Sequence, residues 1–281
     1  GCELMPVVKA NAYGHGAVLM SQELNRAGIK AFCVATVSEG VELRKNGIAG
    51  ELLILGYTHP SQFPLLSRYG LTQTVTERSY AEALDACGEE IRVQLKIDTG
   101  MHRLGERWDS MDALVPIFAC RNLKITGAFT HLCADSTTSP RDRAVTMAQS
   151  RRFYDCVSRL RARGCIIPKV HVLASHGLLH YPEIGGDYAR IGIALYGVLS
   201  SGRDGEGCPV TLQPVLCLKA RVAQVQELRR GESAGYDLKF TAQRDARIAV
   251  LTIGYADSLP RCLSCGVGSV LIHGRRAPIV G

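Results

Sequence analysis

No stretch of this 281-residue chain approaches the ~18 consecutive apolar residues of a membrane-spanning helix, so no membrane contact is expected of this segment. No secretory signal opens it. The eleven cysteines form no framework of paired spacings. In so long and apolar a chain that excludes a disulfide scaffold and points to a reducing, cytoplasmic compartment. Cys262-Leu263-Ser264-Cys265 is the one Cys-x-x-Cys; it has no second pair for zinc and follows a loop, which argues against redox chemistry. His176 and His180 share a helical ligand spacing but have no Glu or third ligand, so no metal is expected. Gly100-x-x-x-x-Gly105 lacks the following Lys-Ser/Thr of a phosphate loop, and no Gly-x-Gly-x-x-Gly follows the first apolar run. No aromatic residues interleave Arg151-Arg152 or Arg159-Leu160-Arg161-Ala162-Arg163 as a nucleic-acid groove needs. The net charge of +7 therefore reads as solubility and attraction for small anions.

What the chain does have is 46% hydrophobic residues, enough for a sizeable core. Short apolar runs alternate with helical patterns: Leu4–Lys9, Ala31–Thr36, Leu52–Gly56, Leu71–Val75, Val93–Ile97, Ile125–Thr130, Lys169–Ala174 and Ile191–Val198 read as strands. Gly28, Gly47, Gly88 and Gly164 stand where the intervening helices would stop. Eight strands over residues 1–199 predict a (β/α)8 barrel of the TIM type. Residues 200–209 are turn-rich, and beyond them only strand-like runs occur: Val215–Glu227, Ala246–Ile253 and Ser269–His273. Residues 200–281 are thus expected to form a second, mostly β domain.

Barrels place function at the C-terminal ends of their strands. Lys9 ends the first run, within Val7-Val8-Lys9-Ala10-Asn11-Ala12-Tyr13-Gly14-His15-Gly16. A partly desolvated amine there favours its neutral, nucleophilic form and suits Schiff-base formation with an aldehyde. Lys96, Asp98 and Arg103 surround the end of the fifth run, His131 ends the sixth, Ser175 the seventh, and Arg190 introduces the eighth.

The segments around Lys9, Lys96–Gly105, Phe129-Thr130-His131, Arg190–Gly197 and Gly254-Tyr255-Ala256-Asp257 resemble those of alanine racemases. Met101–Gly105 and Leu55–Thr58 look most like the racemase domain of vancomycin-resistance serine/alanine racemases, where a membrane domain comes first. The resemblance implies a pyridoxal 5'-phosphate enzyme that racemises alanine, and also serine, by two bases, supplying D-amino acids for peptidoglycan. Lys9 would carry the cofactor; Tyr13, Ser175 and the amides of Gly192 and Ile193 would hold its phosphate. Arg190 would face the pyridine nitrogen, Arg103 would bind the substrate carboxylate, and Lys96 would orient Arg103 as a carbamate. Tyr236 would be the second base, helped by His131 and Arg190 and reaching the partner's site in a head-to-tail homodimer. Asp257 would organise an entry loop. Further segments are implied at both ends: a strand before Leu4 and a Met-Asp segment after Gly281. Two rivals are a barrel-type decarboxylase, which pairs the pyridine nitrogen with Glu, and a non-catalytic cofactor-binding barrel, which lacks a β domain.

Overall fold

The computed structural model describes residues 1–134, 139–199, 208 and 210–281. The linker expected at 200–209 falls outside them except for Cys208. The chain divides into two compact units, Gly1–Leu216 and Cys217–Gly281.

In the first unit eight parallel strands form a ring: β1 (Glu3–Leu4), β2 (Ala31–Val34), β3 (Glu51–Ile54), β4 (Thr72–Val75), β5 (Ile91–Asp98), β6 (Leu123–Phe129), β7 (Lys169–His171) and β8 (Tyr188–Ala189). β2 to β7 pair in sequence order. The ring closes through Glu3 against Tyr188, Val7 against Cys33 and Ala174 against Arg190. The helices between them are α1 (Ala17–Arg26), α2 (Val37–Lys45), α3 (Phe63–Arg68), α4 (Arg78–Asp85), α5 (Met111–Ile117), α6 (Pro140–Arg161) and α7 (Ser175–His180). This is the expected (β/α)8 barrel. Strands buried on both faces read as unbroken apolar runs, which is why β2, Ala-Phe-Cys-Val, was legible. α2 starts on a capping box, Thr36 with Glu39, and α6 on Ser139 followed by Pro140. Gly28 and Gly164 end α1 and α6 at φ +90° and +82°, where a side chain would be strained.

Two expectations fail at the ring's seam. Ile191–Val198 is not the eighth strand: the strand is Tyr188–Ala189, and Ile193–Tyr196 is a 3-10 turn. Beyond Ile191, whose carbonyl still accepts from Val7 N at 2.7 Å, the run packs rather than pairs; Tyr196 is buried and its hydroxyl donates to the Val7 carbonyl at 3.0 Å. The first run does not stay a strand as far as Lys9: beyond Glu3–Leu4, Met5, Val7 and Val8 still donate to the carbonyls of Ala189, Ile191 and Cys33, and Lys9 then opens a helical turn.

The second unit is built from antiparallel hairpins. Val222–Leu228 pairs with Ala246–Leu251, Ser233–Ala234 with Phe240–Thr241, and Ser269–Ile272 with Arg275–Pro278. Its only helical pieces among the described residues are 3-10 turns, two of them at Tyr236–Leu238 and Tyr255–Asp257. Among the described residues no helix is long and apolar enough to cross a membrane.

Candidate active site

The barrel mouth holds a cavity of about 530 Å3. Lys9, Tyr13, Lys96, Arg103, His131, Ser175, Arg190, Gly192 and Ile193 all line it. Nine of the ten residues expected to bind cofactor or substrate or to act as bases are therefore brought together, from the ends of five strands and the loops after them. Tyr236 is not among them. It belongs to the second unit, is 77% exposed, and lines a separate cleft there with Tyr255.

Lys9 begins a turn of left-handed helix. Ala10, Asn11, Ala12 and Tyr13 take φ between +51° and +55°. Each costs an L-residue roughly 1–2 kcal/mol, so the turn must be held from outside. Glu39 does much of this: its carboxylate accepts from Ala10 N at 2.7 Å and Ala35 N at 2.6 Å, stapling the turn to the loop after β2. Asn11 Oδ1 accepts from Ala17 N at 2.9 Å and so starts α1. The Tyr196 ring lies 5.2 Å from Tyr13 and stacks on His15 at 4.5 Å. Gly14 and Gly16 carry the chain out at φ +87° and +94°. None of these supports was picked out from the sequence; Thr36-x-x-Glu39 was the one readable trace, as a helix cap.

Opposite the turn, Ser175 Oγ accepts from Gly192 N at 3.0 Å and Ala194 N at 3.3 Å. Converging amides beside a hydroxyl make a corner suited to an anion. Gly192 and Ile193 both line the cavity beside this corner. A Cβ at Gly192 would sit 2.8 Å from Tyr13 Oη, so only glycine lets the Tyr13 hydroxyl into this corner.

Arg190 is 3% exposed and reaches inward from the end of β8. Nη1 donates to His171 Nδ1 at 2.6 Å; Nη2 donates to the Thr130 carbonyl at 2.6 Å and to His131 Nδ1 at 3.3 Å. Burial pulls its pKa down to about 10, which leaves it a cation at neutral pH. Burial first, then the Arg190 charge, pushes His131 down to about 3, so its imidazole is neutral. The His131 backbone is tied down by Gln149 of α6, whose amide donates to the His131 carbonyl and accepts from Cys133 N.

Lys96 is buried, and among the described residues it makes no ion pair with Asp98. Its ammonium donates to the Ile97 carbonyl at 3.2 Å. Asp98 instead shapes the loop carrying Arg103: its Oδ1 accepts from Gly100, Met101 and His102 N, and its Oδ2 faces His102 Nδ1 at 3.0 Å. Burial opposes the Asp98 charge, but those amides and the His102 ring hold the carboxyl below its usual range. Burial, then Arg190, lowers Lys96 from 10.5 to about 7. Between pH 7 and 10 the unfolded state therefore binds more protons than the folded one, and this residue makes stability rise with pH. Urea unfolding across that window in carbon dioxide-free buffer, where Lys96 stays a free amine, is expected to show the rise, and Lys96→Met to remove it. An unchanged slope in the variant would assign it elsewhere.

The His176 and His180 rings lie 4.7 Å apart, and no group of three metal-ligating side chains occurs among the described residues. Cys262 and Cys265 are exposed free thiols.

Comparison with known proteins follows the same division. The family described as "Alanine racemase, N-terminal domain" matches residues 1–200, and "Alanine racemase, C-terminal domain" matches residues 215–281. An amino-acid racemase of Enterococcus faecalis is 44% identical over all of this chain, which covers 39% of that protein. A serine/alanine racemase of Enterococcus gallinarum is 38% identical over 99% of the chain and 40% of that protein. The chain thus spans about two fifths of the length of these relatives. Among solved structures, alanine racemase of Clostridium difficile 630 superposes with a TM-score of 0.90 at 30% identity, covering 100% of this chain and 73% of that one. Alanine racemase from E. faecalis gives 0.89 at 34% identity, covering 100% and 75%.

Proposed function

Since this chain belongs to the alanine racemase family, we propose that it interconverts the L and D forms of a small amino acid, alanine and also serine, with pyridoxal 5'-phosphate as cofactor. The observation that carries this is the gathering of Lys9, Tyr13, Ser175 and a donor-only Arg190 around one cavity. The residues present fit the cofactor. The amides of Gly192 and Ile193, with the Ser175 and Tyr13 hydroxyls, would hold its phosphate; Arg190 would meet the ring nitrogen; Lys9 would supply the amine. When bound, the cofactor provides an electron-accepting ring that acidifies the substrate Cα–H.

The chain's own groups set the outcome. Arg190 donates a hydrogen bond but keeps its proton, so it does not strengthen the electron sink as an acid would. That favours return of the proton to Cα over transamination. Arg103 offers a two-pronged donor to the substrate carboxylate. Lys96, as a neutral amine near pH 7, reacts with carbon dioxide, releasing a proton and forming a carbamate that orients Arg103. Lys9 Nζ serves one face of Cα. Tyr236 Oη serves the other from the partner subunit of a head-to-tail homodimer. A phenol in water ionises only near pH ~10, so its phenolate needs a nearby donor; His131 Nδ1 accepts from Arg190, so the neutral ring carries its proton on Nε2 and can donate there. The product D-amino acid would go to peptidoglycan. A buried Arg190 in place of a Glu disfavours a decarboxylase.

The test is chemical. Borohydride reduction of the cofactor-loaded protein is expected to leave a pyridoxyl group on Lys9 in peptide maps, and the untreated protein to form D-alanine from L-alanine. An adduct on any other lysine overturns the site; an adduct on Lys9 with decarboxylation instead of racemisation overturns the activity.

A further inference from the structure

Beneath the cavity, Arg190 is joined to a polar chain that crosses the barrel interior. Arg190 Nη1 lies 2.6 Å from His171 Nδ1, His171 Nε2 lies 2.6 Å from Gln94 Oε1, and Gln94 Nε2 lies 2.8 Å from Glu51 Oε1. His171 and Gln94 are 0% exposed. The direction of every bond follows from the two ends. A guanidinium can only donate, so His171 Nδ1 must be bare and accept. The single proton of a neutral imidazole is then on Nε2, and it must find an acceptor, the Gln94 carbonyl oxygen. That leaves the Gln94 NH2 pointing at Glu51, whose carboxylate can only accept. No group in the chain has a choice left.

We infer that Glu51, Gln94 and His171 are positioning residues that lock the Arg190 guanidinium from beneath, with the neutral Gln94 amide keeping the Glu51 charge off His171. The inference rests on the proposed role of Arg190 only for its catalytic consequence. Every element around His171 suits a neutral ring. From β8 come the Arg190 cation and the Tyr188 ring, edge-on at 5.8 Å; from β6 the Phe129 ring stacks at 5.0 Å; from β7 itself Lys169 adds a second positive charge. Burial, Arg190 and Lys169 all press its pKa well below the usual value. Two cations close by forbid an imidazolium, and an imidazolium could no longer accept from Arg190. A carboxylate in direct contact would favour one, as carboxylates beside histidines do. One amide of spacing avoids this. Glu51 is meanwhile anchored at the far end, where Tyr188 Oη donates to it at 3.4 Å, Lys169 bonds Tyr188 Oη, and Thr126 Oγ1 shares its proton between Glu51 at 3.4 Å and the Val93 carbonyl at 3.2 Å.

The experiment is nitrogen NMR of histidine-labelled, cofactor-free protein, with His171 assigned by its loss in His171→Gln. The wild type is expected to show one His171 proton, on Nε2, and no titration from pH 6 to 9. A proton on Nδ1, or a second proton at pH 7, overturns the chain without any variant. Gln94→Glu keeps the chain only while its new carboxyl is protonated, donating to Glu51 and accepting from His171. It is expected to look like wild type at low pH and to gain a titration of the His171 signal as pH rises. In cofactor-loaded protein kcat should fall along that same limb, while KM holds. Gln94→Leu should lose at least about tenfold in kcat at every pH, since a loosened guanidinium is a misplaced one. A flat profile in Gln94→Glu for both the His171 signal and kcat would reduce the chain to packing. Failure of the protein to bind pyridoxal phosphate would instead sink the reading of the cavity, and the cofactor-free spectra would still decide the chain.

Discussion

Racemisation is expected to fall by about 10²–10⁴-fold in a Lys9→Ala chain and again in a Tyr236→Phe chain, and to return when the two are mixed. Each substitution removes one of the two groups proposed to exchange the Cα proton. Tyr236→Phe should leave the cofactor spectrum intact and make deuterium exchange at Cα selective for one enantiomer. Lys9 lines the cavity of the first unit, whereas Tyr236 is exposed on the second and free to serve another copy of the chain. In a two-fold dimer with shared sites, a mixed pair has one site with both substitutions and one with neither. Random exchange makes half the dimers mixed, so recovery of about a quarter of wild-type activity is expected. No recovery despite subunit exchange, followed by mass spectrometry of differently labelled chains, would assign Tyr236 to the site of its own chain.

The second large effect is on folding. Arg190→Ala is expected to cost roughly 3–5 kcal/mol of stability, measured by urea unfolding of cofactor-free protein. The guanidinium donates to the carbonyls of Thr130, Val172 and His171 and to the rings of His171 and His131. Without it, these acceptors stay buried and unpaired around a cavity. Relief of a buried charge works the other way and offsets part of the loss. Arg190→Met separates the two causes: it fills the space but donates nothing. If Met restores most of the stability, volume dominates; if it does not, the orphaned acceptors do. A change within about 1 kcal/mol for Ala would mean that water replaces the guanidinium, contrary to a closed core.

The alternation of apolar runs and helical patterns was readable because each strand of a covered barrel is apolar on both faces and each helix has local start and stop signals. That sufficed for the barrel, the following β unit and six residues of the cavity, since barrel chemistry collects at strand ends; Tyr13, Gly192 and Ile193 came only from the family resemblance. The eighth strand was misplaced because apolarity reports burial, not pairing. In Ile191–Val198 it is the buried Tyr196 that packs against the Lys9 turn, and the sheet is joined earlier, at Tyr188–Ala189. The left-handed turn at Ala10–Tyr13 had no local signal, because local preference opposes it; Glu39, some 29 residues on, and Tyr196, from the loop after the adjoining eighth strand, hold it. Gln94 and His171 meet across 77 positions, and Tyr188 and Glu51 across 137. In the sequence they are ordinary polar residues in apolar strands. Only closure of the barrel brings them within hydrogen-bond reach, and only there does burial force each donor to find its acceptor. The sequence by itself determined which strand ends would meet around one cavity. The tertiary structure decided how those groups are held, because the bonds that hold them exist only between strands far apart in the chain.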